Sequence, residues 1–230
     1  MKWFFYLMKA IAYLPLRLLY PVKIIGRKNM PKGKIVVVGN HLSAADIVIQ
    51  MANLPGFRYI VAKKELSKNK FVGSFLASLG AVYIDRGKAD LAAMKKILGV
   101  MQKGYGLSIF PEGTRNRKDN DLARIKEGAA LFALKGKAEV VPVIIYRKAK
   151  LFRKNYLWVG EPFSLAEFYG KRADAALLKD ASDVIEAHML KAQKELNDYV
   201  FYNKSKCGKR LKKDAVKAEK KLKKAFGENS

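Results

Sequence analysis

Six short runs of aliphatic and β-branched residues recur along this chain, at 34–38, 57–61, 81–84, 107–110, 140–145 and 156–159. Several lack the apolar–polar alternation of a half-exposed strand, so they read as strands buried on both faces. Between them lie segments with helical spacing of apolar residues, at about 44–53, 70–79, 89–103 and 122–135, followed by a long amphipathic stretch at 172–200. Strands alternating with helices predict an α/β fold with a mostly parallel central sheet flanked by helices. In such sheets the working side chains gather where strands end and the next loops begin.

At 230 residues the chain suits one domain with appendages. The pattern divides it into an N-terminal interfacial helical segment (1–26), an α/β domain (27–200) and a lysine-rich C-terminal tail (201–230) read as a basic helix. The first 26 residues are intensely apolar, but Lys9, Pro15, Arg17, Pro21 and Lys23 interrupt them. They fall short of the roughly 18–20 uninterrupted apolar residues that a membrane-crossing helix needs. A secretory signal fits less well, because the apolar core Trp3–Met8 is shorter than the usual ~7–15 residues. On a helix Lys2 and Lys9 share one stripe, and aromatic and aliphatic residues fill the rest. That is the pattern of a helix lying in a headgroup layer. Packing on the domain's own core is the alternative, but Trp3, Phe4, Phe5 and Tyr6 in succession cannot all face one core.

The net charge is +26, of which the last thirty residues supply +8, so the excess is spread over the whole chain. Such a field attracts polyanions: nucleic acid, an anionic membrane or a phosphorylated partner. No nucleic-acid-binding motif is present, and the aromatics sit in apolar rather than basic contexts. The one cysteine, Cys207, excludes an internal disulfide.

Four stretches carry chemistry. Gly39-Asn40-His41-Leu42-Ser43-Ala44-Ala45-Asp46 follows the apolar run at 34–38. Ser43-x-x-Asp46 matches a helix capping box, so Asp46 can serve as a cap and His41 as a loop residue bonded to the backbone. His41 can equally be a general base whose second ring nitrogen donates to Asp46, and one carboxylate can do both jobs. At 80–87 a strand ends in Asp85-Arg86-Gly87, offering either a phosphate-binding arginine or a surface ion pair. At 107–117 a strand breaks at Pro111 and presents Glu112, Gly113, Thr114, Arg115 and Arg117. Arginine grips a phosphate with paired donors, and glycine lets backbone N–H groups approach an oxyanion; a solvated turn is the plain alternative. Last, Pro142 interrupts the run at 140–145, which suggests a bulge, sheet beneath a ligand or an edge strand.

In this order, Asn40-His41-x-x-x-x-Asp46, GAVYIDR (80–86), FPEGTR (110–115) and VPV (141–143) resemble the four blocks of the glycerolipid acyltransferase family, with the bacterial 1-acyl-sn-glycerol-3-phosphate branch the nearest in pattern. The similarity spans about residues 34–162. It implies transfer of a fatty acyl chain from an acyl thioester, acyl-CoA or acyl-ACP (acyl carrier protein), to the free sn-2 hydroxyl of a lysophospholipid. It implies His41 and Asp46 as the catalytic pair, and Arg86, Glu112, Gly113, Thr114 and Arg115 as the acceptor-binding set. No bound cofactor and no metal are expected, since one nearby histidine without a cysteine cluster does not make a zinc site. No Gly-x-Ser-x-Gly elbow occurs, so direct attack without an acyl-enzyme is expected. The expected partners are a lysophospholipid acceptor, an anionic membrane surface and an acyl carrier protein, with the protein peripheral or monotopic on the cytoplasmic face of a bacterial inner membrane. Another lyso-lipid acceptor, such as lyso-ornithine lipid, and a non-catalytic basic membrane-binding protein stay open as alternatives.

Overall fold

A computed structural model describes residues 2–85, 90–116 and 121–225, without the side chains of 206 and 218–225. Its frame is a seven-stranded sheet. In chain order the strands are β1 (Val22–Ile25), β2 (Ile35–Gly39), β3 (Arg58–Lys63), β4 (Ala81–Ile84), β5 (Gly106–Ile109), β6 (Glu139–Ile145) and β7 (Asn155–Val159). They lie across the sheet as β1-β7-β6-β2-β5-β3-β4. Strands β2 to β6 are mutually parallel, whereas β7 runs antiparallel to β6 and β1 runs parallel to β7. The mostly parallel α/β fold expected from the strand–helix alternation is therefore what forms.

The central position of β2 explains its composition. Val36, Val37 and Val38 are fully buried, because helices cover both faces of the sheet there. Around the sheet lie α1 (Lys2–Leu19), α2 (Ala45–Asn53), α3 (Lys70–Ser78), α4 (Leu91–Gln102), α5 (Gly128–Gly136) and, as far as Gln193, α6 (Ala175–Lys204). Ile60 and Ser108 face α1 and α2, while the next residues, Val61 and Ile109, face α5, as the two-residue pleat requires. Among the described residues no helix is long and apolar enough to cross a membrane.

Three local features differ from the sequence pattern. Residues 22–25 leave the helical N-terminal segment and form β1, paired to β7 in register Val22↔Asn155. Four residues after a proline carry too little pattern to announce a strand. The helix expected from 122 begins only at Gly128. The preceding backbone donors go to tertiary acceptors instead: Ala123 N–H to Glu112 Oε2 (3.3 Å), Ile125 N–H to Glu186 Oε2 (3.3 Å) and Lys126 N–H to the Pro111 carbonyl (2.8 Å). Pro142 is not in an edge strand. It pairs with Val38 inside the sheet, where the β6–β7 ladder stops. Gly160 N–H donates to the Pro142 carbonyl at 2.8 Å, and proline has no N–H to return.

The chain divides into two compact units at Gln193/Lys194. The second holds the last turns of α6 and α7 (Lys206–Ala225), which occupies the stretch read as a lysine-rich helix. Within that unit the turn between helices needs Gly208: a Cβ there would lie 2.2 Å from the Phe201 carbonyl oxygen.

Candidate active site

Strand β2 ends at Gly39, and its next residue continues the sheet with a side chain. The buried Asn40 amide donates to the Ile145 carbonyl (2.9 Å) and accepts from the Ile145 N–H (2.8 Å), standing in for one more backbone pair with β6. That double bond fixes where the chain leaves the sheet, and His41 follows immediately.

The His41 ring lies with Nδ1 3.1 Å from Asp46 Oδ2; the histidine side chain is 17% exposed and the aspartate fully buried. The same Oδ2 accepts the N–H of Leu42 (2.6 Å) and of Ser43 (2.6 Å), and Oδ1 accepts the Ser43 hydroxyl (2.8 Å). One carboxylate in the first turn of α2 thus both holds the backbone that leads into the helix and contacts the ring. A carboxylate has only acceptors, so Nδ1 carries the proton and Nε2 keeps its lone pair. The imidazole stacks on Phe110, with centroids 4.2 Å apart and planes at 22°.

The turn after β5 holds the His41 backbone from both sides. Glu112 Oε1 accepts the His41 N–H at 2.7 Å, and the Asn116 N–H donates to the His41 carbonyl at 2.7 Å. Glu112 is buried, its second oxygen is committed to Ala123, and burial pushes its carboxyl pKa upward despite those two backbone donors. Each Glu112 oxygen thus accepts one backbone N–H, which ties the turn after β5 to His41 on one side and to the segment before α5 on the other. Gly113 adopts φ 74°, a left-handed conformation that favours glycine, and its N–H closes a turn to the Phe110 carbonyl at 3.0 Å. A side chain there would also meet the Lys126 stem, at 2.9 Å from Cε. Thr114 and Arg115 project from the same turn and are exposed. Arg86 lies outside the described residues.

Beside this turn opens a cavity of about 230 Å³. Its apolar lining comes from Val61, Ile84, Ile109, Phe110 and Phe132, and its polar lining from Asp85 and Lys126. Phe110 therefore belongs both to the cavity wall and to the stack on His41. The histidine, its carboxylate, the Pro-Glu-Gly-Thr-Arg turn and the apolar cavity all converge at the C-terminal end of the parallel strands.

Asn116, Lys126 and the ring of Phe110 were not singled out by their sequence. Phe110 opens the FPEGTR block and carries at least a positional signal. Asn116 acts through its backbone, which no side-chain pattern reveals, and Lys126 lies in a segment whose spacing reads as helix.

A family model described as Acyltransferase matches residues 21–146, more than half of the chain. The chain belongs to the acyltransferase family. It is 34% identical over 142 residues to a 1-acyl-sn-glycerol-3-phosphate acyltransferase of Borreliella burgdorferi, covering 60% of this chain and 56% of that protein. It is 33% identical over 154 residues to the protein of the same name from Bacillus subtilis, covering 64% of this chain and 76% of that one. The crystal structure of the 1-acyl-sn-glycerophosphate acyltransferase of Thermotoga maritima superposes with a TM-score of 0.60 at 25% identity, over 81% of this chain and 77% of that one. The chain thus spans little more than half the length of the Borreliella relative. The matched family region runs from β1 to just past β6, which includes every part of the His41 site described above.

Proposed function

We propose that this acyltransferase moves a fatty acyl chain from an acyl thioester to the sn-2 hydroxyl of 1-acyl-glycerol-3-phosphate, giving phosphatidic acid. The observation that carries the reading is the His41 Nδ1–Asp46 Oδ2 contact of 3.1 Å at the exit of the central strand. The names of the relatives supply the acceptor class.

An alcohol becomes an effective nucleophile when a base within ~2.6–3.2 Å removes its proton during attack. Nε2 of His41 takes the proton from the sn-2 hydroxyl while the oxygen attacks the thioester carbonyl carbon. Asp46 holds the ring and stabilises the imidazolium as it forms. The tetrahedral intermediate collapses by breaking the C–S bond, and the imidazolium returns its proton to the departing thiolate. No covalent acyl-enzyme enters the cycle, and no metal or bound cofactor is called for.

Substrate binding divides by chemistry. Arg115 and Thr114, exposed on the turn that clamps His41, take the acceptor phosphate, and Arg86, two residues past Ile84 in the sequence, is the second guanidinium. Gly113 gives that turn its shape, and Glu112 acts from behind it by holding the His41 backbone. The apolar cavity beyond Phe110 receives an acyl chain, and Lys126 adds a cation to its lining. The outward residues of α1, among them Trp3, Ile11, Leu14 and Leu18, are exposed and apolar, which supports a protein seated on the membrane that holds its acceptor. The test is transfer of a labelled acyl chain to lysophosphatidic acid by the purified protein, with acyl-CoA and acyl-ACP compared as donors. Formation of phosphatidic acid with either donor is expected. No product from either donor, with lyso-ornithine lipid accepted instead, would reassign the acceptor, and no product from any acceptor would leave a membrane-binding protein without catalysis.

A further inference from the structure

Strand β6 ends at Ile145, the residue latched to Asn40, so the loop that follows leaves the sheet at the same end as His41. This β6–β7 loop, 146–154, has a composition unlike the rest of the domain: Arg147, Lys148, Lys150, Arg153 and Lys154 surround Leu151-Phe152, with no acid between 146 and 154. Leu151 is 52% exposed and Phe152 72%.

The exposure is built in rather than the accident of a slack loop. The buried Asn155 side chain gathers the loop, accepting the Lys150 N–H at 3.0 Å and donating to the carbonyls of Lys150 (3.1 Å) and Arg153 (2.8 Å). Phe152 has φ 55°, a left-handed backbone that is costly for a bulky L-residue. The fold therefore holds an aromatic ring in water in an unfavourable conformation, where glycine would be at ease. Its N–H donates to the Leu19 carbonyl at 2.7 Å, which ties the loop to the C-terminal end of α1. Leu18 and Leu19, exposed at that end, continue the apolar surface from the loop tip onto the helix.

We propose that Leu151 and Phe152 form a membrane-docking tip that inserts into an anionic lipid surface, with the five cations of the loop contacting headgroup phosphates. An apolar pair ringed by positive charge matches an anionic interface, where acyl-chain burial and lipid charge act together. Because the loop and His41 leave neighbouring strands at the same end, docking brings the lipid surface to the base. The proposal deepens the lipid-acceptor reading and rests on it for its purpose, but not for its test.

The test uses the full chain and vesicles of three parts phosphatidylcholine to one part phosphatidylglycerol, with partition measured by co-sedimentation. Leu151→Ser with Phe152→Gly is expected to weaken partition about tenfold or more. The Phe152→Gly change alone is expected to leave thermal stability equal to or above that of the wild type, because it relieves the left-handed strain while keeping the N–H bond to Leu19. Transfer to a short-chain lysophosphatidate dissolved as monomers is expected to stay unchanged in the double variant, while transfer to vesicle-borne acceptor falls with the partition. Unchanged partition would overturn the proposal. So would a loss of stability large enough to account for the weaker binding, or a loss of affinity confined to acyl carrier protein. Absence of transfer by the wild type would sink the enzymatic reading alone, because partition is measured without turnover.

Discussion

The chain has two histidines, and each is stacked on a phenylalanine: His41 on Phe110 at 4.2 Å, and His188 of α6 on Phe163 at 3.7 Å with planes at 6°. By ring contact alone His188 is the better packed. What separates them is the second partner. His41 has a buried carboxylate on Nδ1, itself fixed by two backbone N–H groups and a hydroxyl, and its own backbone is clamped at N–H and carbonyl. The charges facing His188 are Lys191 and Glu161, which sit 3.9 Å from each other, and burial followed by Lys191 lowers its pKa. An imidazole becomes a base through what fixes its tautomer and receives its charge, and packing supplies neither.

The comparison breaks most readily at His41. Replacing it with alanine is expected to lower kcat/KM for acyl transfer by about 10⁴-fold, the upper end of what a positioned general base contributes. The same change at His188 is expected to leave kcat/KM within about twofold, since nothing in the mechanism uses that ring. Equal losses at both sites, measured by initial rates with lysophosphatidic acid, would erase the distinction between the two rings.

Asp46→Asn sharpens the contrast by separating geometry from charge. All three N–H donors converge on Oδ2, so an amide oxygen there keeps the Nδ1 tautomer and both backbone bonds, while the new NH₂ can donate to the Ser43 hydroxyl. What disappears is the negative charge that stabilises the imidazolium, and a loss of about 10²- to 10³-fold in kcat is expected with little change in thermal stability. Asp46→Ala is expected to add instability of about 1–3 kcal/mol for each buried donor left unpaired. Near-wild-type turnover in the Asn variant would show that orientation alone suffices.

A smaller effect is expected at Glu112. Glutamine can keep an oxygen on the His41 N–H, but it then turns an NH₂ toward the Ala123 N–H, so one buried bond becomes a donor–donor contact. A fall in stability of about 1–3 kcal/mol by urea unfolding is expected, with kcat reduced only several-fold. If instead Glu112→Gln raised KM for the acceptor with stability intact, the carboxylate would belong to the substrate rather than to the frame.

These distinctions were unevenly legible in the sequence. The runs at β2 and β6 announce strands covered on both faces, and the five-residue spacing from His41 to Asp46 is short enough for one turn to bring the two side chains together. The inward turn of Glu112 was not legible, because a charged residue in a Pro-Glu-Gly-Thr turn reads as solvated unless its backbone donors are known. Those donors come from 71 positions upstream and 11 downstream. Nor could the pattern show that the Gly113 N–H closes its own turn on the Phe110 carbonyl. Strand β1 was hidden by its neighbourhood: Val22–Ile25 continues an apolar N-terminal stretch, and only its pairing with β7 distinguishes it. Long-range backbone bonding is the common element of what could not be read.

The smallest expected effect returns to His188 and concerns stability alone. Its folded-state pKa lies below the ordinary histidine value, with burial the larger cause and Lys191 the next. Between the folded and unfolded pKa values the unfolded chain therefore binds more protons than the folded one. The stability tied to this neutral ring is full above about pH 6.5 and is lost as pH falls through the folded value. An asparagine side chain does not titrate, so the wild type is expected to lose stability relative to His188→Asn as pH drops from about 7 to 5, with the two curves parallel above about 7. Urea midpoints across that range measure the difference. The ring is only partly buried, and solvent screens the remainder, so the divergence is expected to be slight. Its sign is the informative part: a wild type that gained on the variant in acid would place a carboxylate, rather than Lys191, as the dominant charge at His188. That ring would then share the electrostatic setting of His41.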